Sequence, residues 1–271
     1  MIIHIDKNLN IAECLFSRSK LRPFVAISVN SRPPCLEKAI DILKWLLISN
    51  SESIPILIAD EIGHINYRAF GCSPGRAANQ VAAAKEKQVL AWESALNHLT
   101  DEDKLRFKIV FWSEIVNPKF IEQQNTIRSE FDEQADLYDD ILLLVEVFIR
   151  SMDKTVNPKR LAIMAEYVVQ ELPLLLFGIV LDGVNYQMMH YPTYYSPKMV
   201  SIIAAILRKP CYSKLRASLS FDKLERSKII HMIVQENNGV ESQMATKESN
   251  SKQEAFIQVN NFEIIQECQN V

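Results

Sequence analysis

Short, continuous apolar runs alternate with long helical patterns along most of this chain, and few folds accommodate that alternation. The runs fall at 24–29, 54–59, 107–112, 186–191 and 229–234. They are largely continuous rather than apolar at every second residue, as in strands covered on both faces. Between them, helical periodicity is expected over 36–48, 74–98, 118–131, 137–151, 158–172 and 197–207, several of these segments with proline near the first turn. Strands alternating with long helices predict the α/β class, with a mostly parallel sheet and helices on both faces.

The chain has 271 residues, 48% hydrophobic composition and only six glycines, enough for one sizeable core. A single domain is expected over 1–235. After Gln235 the composition turns to Glu, Gln, Asn, Ser and Lys, so 236–271 reads as a polar, flexible extension. No apolar run reaches the roughly 18 to 20 residues of a membrane span. The greasiest stretch, 172–181, is interrupted by Pro173 and Gly178. The first residues lack a basic segment followed by an apolar one, so a cytoplasmic location is expected. Five scattered cysteines without a Cys-x-x-Cys pair read as free thiols, and five scattered histidines predict no metal site. No heptad pattern or large exposed apolar stripe is evident, so a monomer is expected.

The net charge of −3 hides an uneven distribution. Acids dominate 122–146, and bases, among them Lys209, Lys214 and Arg216, dominate 198–228. Such runs suit solvated faces, or, for the basic one, a polyanion.

Several motifs bear on chemistry. Gly71-Cys72-Ser73-Pro74-Gly75 has the form of a hydrolase nucleophile elbow, with Asp182 and His190 following in the expected order. Pro74 lacks the N–H that the residue after the nucleophile must give to an oxyanion, so Ser73 reads better as a helix cap. No glycine-rich nucleotide turn follows the first strand. That strand ends instead in Ser28, then Asn30 and Ser31, at the edge where α/β sheets place ligands. These are also ordinary turn residues. Tyr167 and Glu171 lie four apart on one face of an otherwise apolar helix. A carboxylate there needs a partner or a substrate amine.

Taken together, Ser28 after an apolar strand, Tyr167 and Glu171 in a helix leading to Leu172-Pro173, and Tyr191-Pro192 after a late strand resemble the cyclodipeptide synthases. The likeness runs from about Phe24 to about Leu207. Ser31, rather than asparagine, three places after the nucleophile, with Tyr-Pro at the late motif, resembles one of the family's two subfamilies. The resemblance implies a Rossmann-like fold akin to the catalytic domain of class I aminoacyl-tRNA synthetases, aminoacyl-tRNAs as substrates and a cyclic dipeptide as product. No cofactor is implied, because the ester arrives activated, and neither His-Ile-Gly-His nor Lys-Met-Ser-Lys-Ser occurs here.

By the same resemblance, Ser28 would attack the first aminoacyl ester in a ping-pong scheme. The second substrate's amine would attack the resulting serine ester, and a dipeptidyl-enzyme would cyclise. Glu171 would hold the substrate ammonium and accept its proton, Tyr167 would hydrogen-bond the same amine, and Tyr191 would orient or relay at the serine. Pro192 would shape the site. Phe24, Ala26, Leu57, Trp112 (placed on the third strand), Leu174 and Met189 would line the first side-chain pocket, although each also reads as core. Ala26 beside bulky Phe24 and Trp112 predicts a small first residue, glycine or alanine. Lys209, Lys214 and Arg216 are candidates for tRNA contact. The competing readings are a hydrolase using Ser73 and a non-catalytic RNA-binding α/β module.

Overall fold

Strands that are apolar on both sides need cover on both sides, and the chain supplies it from two separate sets of helices. The structure is a computed structural model, and the residues it describes are 2–5, 22–49, 51–133, 135–151, 154–190, 202, 205–206, 210–219 and 231–234. Strand β1 (Ile2–Ile5) precedes β2 (Pro23–Ser28), α1 (Leu36–Leu46), β3 (Ile54–Ala59), α2 (Gly63–Ala69) and α3 (Pro74–Leu96). Then come α4 (Asp101–Leu105), β4 (Phe107–Phe111), α5 (Trp112–Ile115), α6 (Pro118–Glu133), α7 (Ala135–Ser151) and α8 (Pro158–Phe177). A hairpin of β5 (Ile179–Leu181) and β6 (Val184–Tyr186) leads into β7 (Met188–His190), followed by α9 (Ser213–Ser218) and β8 (His231–Val234).

Six strands form one sheet in the order β1-β8-β7-β2-β3-β4, with every neighbouring pair parallel. From β2 the chain steps outward through β3 to β4, and later returns to place β7 on the other side of β2. That reversal makes a topological switch point at the carboxyl ends of β2 and β7, where sheets of this class bind ligands. One face carries Val25, Ile27, Ile56 and Ile58, packed with Ala39, Leu43, Trp92 and Ala95 of α1 and α3. The other carries Phe24, Ala26, Leu57 and Met189, packed with α2 and α5 to α8. The expected α/β architecture is therefore present.

Three expectations need correction. The run at 186–191 is not one strand: Tyr186 ends the antiparallel hairpin, and only Met188 to His190 joins the main sheet. At the changeover the N–H groups of Gln187 and Met188 both donate to the carbonyl of Arg22, at 3.1 Å. The helix expected over 158–172 continues through Pro173 to Phe177. Proline removes one backbone donor from a helix interior, and here the burial of 171–177 outweighs that loss. Finally, α7 leaves Leu143, Val147 and Phe148 about half exposed, an apolar stripe the sequence reading did not anticipate. The short helix α2 and strand β1 also carry too little periodicity to be read from sequence, and the helix expected over 197–207 falls almost wholly outside the described residues.

Helix α8 begins at Asn157, whose side chain accepts the Arg160 N–H at 2.9 Å, with Pro158 at the first position. It stops at Gly178, where φ is +75° and the N–H donates to Leu174. A Cβ built on Gly178 would stand 2.0 Å from the Tyr186 carbonyl oxygen. Both the left-handed backbone and the approach of β6 demand glycine. Gly178→Ala is expected to lose at least about 2 kcal/mol of stability, read as a lower denaturation midpoint in urea.

Candidate active site

Alternation along β2 puts Phe24, Ala26 and Ser28 on the same face of the sheet. Phe24 and Ala26 belong to the core built around α8, so Ser28, at the strand's carboxyl end, faces that helix too. The consequence is a contact across 139 residues of sequence: the Tyr167 hydroxyl lies 3.4 Å from Ser28 Oγ. This is longer than an optimal O–H···O bond but within reach of one. The N–H of Asn30 also points at Ser28 Oγ, at 3.4 Å. Ser31 holds the turn closed, donating to the Ser28 carbonyl from its N–H at 3.0 Å and from its hydroxyl at 2.7 Å.

One helical turn beyond Tyr167, Glu171 is buried, with 8% of its surface exposed. Burial pushes its carboxyl from the ordinary 4.5 up to about 7. No cation or donor among the described residues offsets that burial. A carboxylate poised near neutrality, one turn from a phenol that meets a serine, can take a proton from an arriving ammonium. Its neighbours on α8 anchor the helix from the outside. Glu166 pairs with Arg128 of α6 and accepts from Gln170 at 2.6 Å, while Gln124 of α6 donates to the Gln170 carbonyl at 3.1 Å.

Asp60, just past the end of β3, and Lys85 of α3 were not singled out from the sequence. Asp60 is buried, pairs with Lys85 at 2.6 Å and accepts the Trp112 N–H at 3.1 Å. The Lys85 ammonium also stands 3.5 Å above the Phe111 ring centroid. This corrects the placement of Trp112. The residue opens α5 rather than ending β4, because its N–H turns to Asp60 and the Phe111 N–H to Glu114, at 2.9 Å. The visible signal was an aspartate directly after an apolar strand.

Phe24, Ala26, Leu57, Trp112, Leu174 and Met189 all lie in one buried cluster. Strand register sets Leu57 beside Ala26 and Met189 beside Phe24. Tyr191, Pro192 and Lys209 lie outside the described residues. Of the proposed tRNA contacts, Lys214 is exposed near Glu130, and Arg216 donates to the Ile206 carbonyl at 2.8 Å.

The residues of the hydrolase reading do not assemble. Ser73 caps α3, accepting the Arg76 N–H at 3.4 Å. Asp182 sits exposed at the hairpin turn, 3.5 Å from Lys108. His190 is buried on the opposite face of the sheet, its ring centroid 6.1 Å from that of Trp45. Burial and nearby Lys38 hold its pKa down to about 3, so it stays neutral at pH 7.

Comparison with curated proteins finds no match. Among solved structures, AlbC, a cyclodipeptide synthase from Streptomyces noursei, superposes with a TM-score of 0.54 at 16% identity, over 79% of this chain and 94% of that one. A cyclodipeptide synthase from Staphylococcus haemolyticus gives 0.54 at 19%, over 72% and 86%. Rv2275 of Mycobacterium tuberculosis, described as showing that such enzymes are related to type I tRNA synthetases, gives 0.52 at 17%, over 66% and 76%. The family model described as cyclodipeptide synthase matches residues 24–212, a span that contains nearly all of β2 with its terminal serine, the whole of α8 and β7. The chain therefore belongs to the cyclodipeptide synthase family of tRNA-dependent aminoacyltransferases.

Proposed function

We propose that this enzyme joins two aminoacyl groups by ping-pong transfer through an ester on Ser28, without ATP, and releases a cyclic dipeptide. The observation that carries this reading is the Tyr167 hydroxyl at 3.4 Å from Ser28 Oγ, with the buried Glu171 one turn away. Ser28 Oγ attacks the ester carbonyl of the first aminoacyl-tRNA. An acyl–oxygen bond to serine forms, the bond to the tRNA ribose oxygen breaks, and the serine proton ends on that oxygen. The Asn30 N–H beside Oγ favours negative charge building on that oxygen as its proton leaves.

The direction of the second transfer follows from atom balance and corrects the expectation above. Attack by the second substrate's amine on the serine ester would leave the dipeptide on tRNA. A dipeptidyl-serine forms only if the amine of the serine-bound residue attacks the second aminoacyl ester, expelling the second tRNA. The new terminal amine then attacks the serine ester intramolecularly, closing the six-membered ring and returning Ser28 to its free form. Each amine must lose a proton to become nucleophilic, and Glu171 is the group able to receive it. Tyr167, whose hydroxyl meets Ser28 Oγ, serves as donor and relay. Tyr191 and Pro192 take orienting and shaping roles beside them, with Ser31 and Tyr191-Pro192 assigning the chain to the Tyr-Pro subfamily.

Phe24, Leu57 and Trp112 crowd the core around Ala26, which supports a small first residue. Exposed Lys214, with Lys209 and Arg216, is the proposed contact for tRNA phosphates.

Three outcomes test this reading. Incubation with charged tRNAs should produce an aminoacyl adduct on Ser28 by mass spectrometry, absent in Ser28→Ala and retained in Ser73→Ala; no adduct across a full set of aminoacyl-tRNAs would sink it. The product mixture should be rich in cyclic dipeptides containing glycine or alanine, and products made only of large aromatic residues would overturn the size argument. Glu171→Gln should accumulate the aminoacyl-enzyme while forming little product. It should also alter stability with a definite sign. The folded carboxyl binds its proton more tightly than the unfolded one, so the contribution of Glu171 to stability is fully present below about pH 4.5 and is lost as pH rises through about 7. The neutral amide escapes that loss, so at pH 8 the variant should be more stable by up to about 3 kcal/mol, and near pH 4.5 equal to wild type in urea denaturation.

A further inference from the structure

Helix α3 turns an apolar stripe toward the sheet, in which Val81, Ala84, Trp92, Ala95 and Leu96 pack against β2, β3 and α1. Gln88 interrupts that stripe and is fully buried. Its amide donates to the Ser31 carbonyl at 2.8 Å and lies 3.4 Å from the Ser31 hydroxyl. Its other polar atom, Oε1, has no partner among the described residues. Burying an unmatched acceptor lowers stability, and an apolar residue of the same shape would avoid that cost. Core packing therefore gives no reason for glutamine here, while the geometry of the Ser31 contact does.

Through Ser31 the chain of contacts reaches the nucleophile. Gln88 holds the Ser31 carbonyl, and Ser31 holds the Ser28 carbonyl from both its N–H and its hydroxyl. On the far side of the turn, the Asn30 carboxamide donates to the Gly63 carbonyl at 3.2 Å. The 28–31 turn is thus tied to α3 on one side and α2 on the other, and its geometry decides whether Ser28 Oγ meets the Tyr167 hydroxyl and the Asn30 N–H. We propose that Gln88 is a positioning residue: acting from the opposite face of the sheet through Ser31, it fixes the nucleophile turn for acyl transfer. The proposal rests on the assignment of Ser28 as nucleophile.

Single-turnover transfer from a labelled aminoacyl-tRNA to the enzyme tests it, using wild type, Ser28→Ala, Gln88→Met, Ser31→Ala and the Gln88→Met/Ser31→Ala double variant. Gln88→Met keeps the volume and removes the donor. Its acylation rate should fall about 10- to 100-fold, as for a displacement of the reacting atom by roughly 1 Å, with KM within about twofold of wild type and a melting temperature no lower than wild type. The double variant should be no slower than the worse single one, because both changes act through one turn. Wild-type acylation rates in Gln88→Met, or a defect confined to KM, would overturn the proposal. Should Gln88→Met fail to melt cooperatively, Ser31→Ala alone must show the rate loss without a KM change, and wild-type rates there would overturn the proposal equally. If the wild type forms no adduct, or Ser28→Ala still forms one, it is the assignment of Ser28 that fails.

Discussion

Everything at the site depends on the packing of α8 across the face of the sheet that carries Phe24, Ala26 and Ser28. The helix is buried continuously from Glu171 to Phe177, and its inward face belongs to the same core as β2, β3 and β7. Hydrophobic burial of this kind is non-directional, so it presses helix and sheet together without choosing a register. Directional contacts supply the rest. The Arg128–Glu166 pair and the Gln124–Gln170 bond tie α8 to α6, the Asn157 cap marks its start, and Gly178 ends it where β6 crosses. Tyr167 and Glu171 inherit their places from these constraints.

Glu171 shows how such a scaffold carries a group that is unfavourable for folding. A buried carboxyl with no charged partner among the described residues resists ionisation, and the fold is less stable at neutral pH for keeping it. The same resistance brings its pKa near neutrality, where a group can both receive and release a proton. A cation brought beside it would supply the charge partner that the described residues do not. Asp60 presents the contrasting case. It is equally buried but satisfied by Lys85 and the Trp112 N–H, and it serves to join the end of β3 to α5 and α3.

Much of this was legible in the chain. The continuous apolar runs at 24–29 and 54–59 announced strands covered on both faces, and the ordered appearance of Ser28, Tyr167 and Glu171 pointed to the family. What escaped were features whose signal is weak or non-local. The 186–191 run looked uniform because a hairpin strand and a sheet strand share the same residue preferences; the Arg22 carbonyl that separates them is distant in sequence. Proline at 173 suggested a helix end, yet the buried turn beyond it continues. Gln88 and Lys85 gave no signal, since polar residues on a long helix ordinarily face water.

The sequence by itself determined the strand and helix alternation, the caps at Ser73 and Asn157, and the pairing of Tyr167 with Glu171 on one helical face. All of these follow from local rules of periodicity and hydrogen bonding over a few residues. Only the tertiary structure decided that Ser28 faces Tyr167, that Glu171 has no charged partner among the described residues, that His190 is buried on the opposite face of the sheet, and that Gln88 reaches the 28–31 turn. Those depend on strand order, on which face a period of two assigns to each side chain, and on which helix covers that face. Such choices arise from contacts between residues far apart in the chain, which no local pattern records.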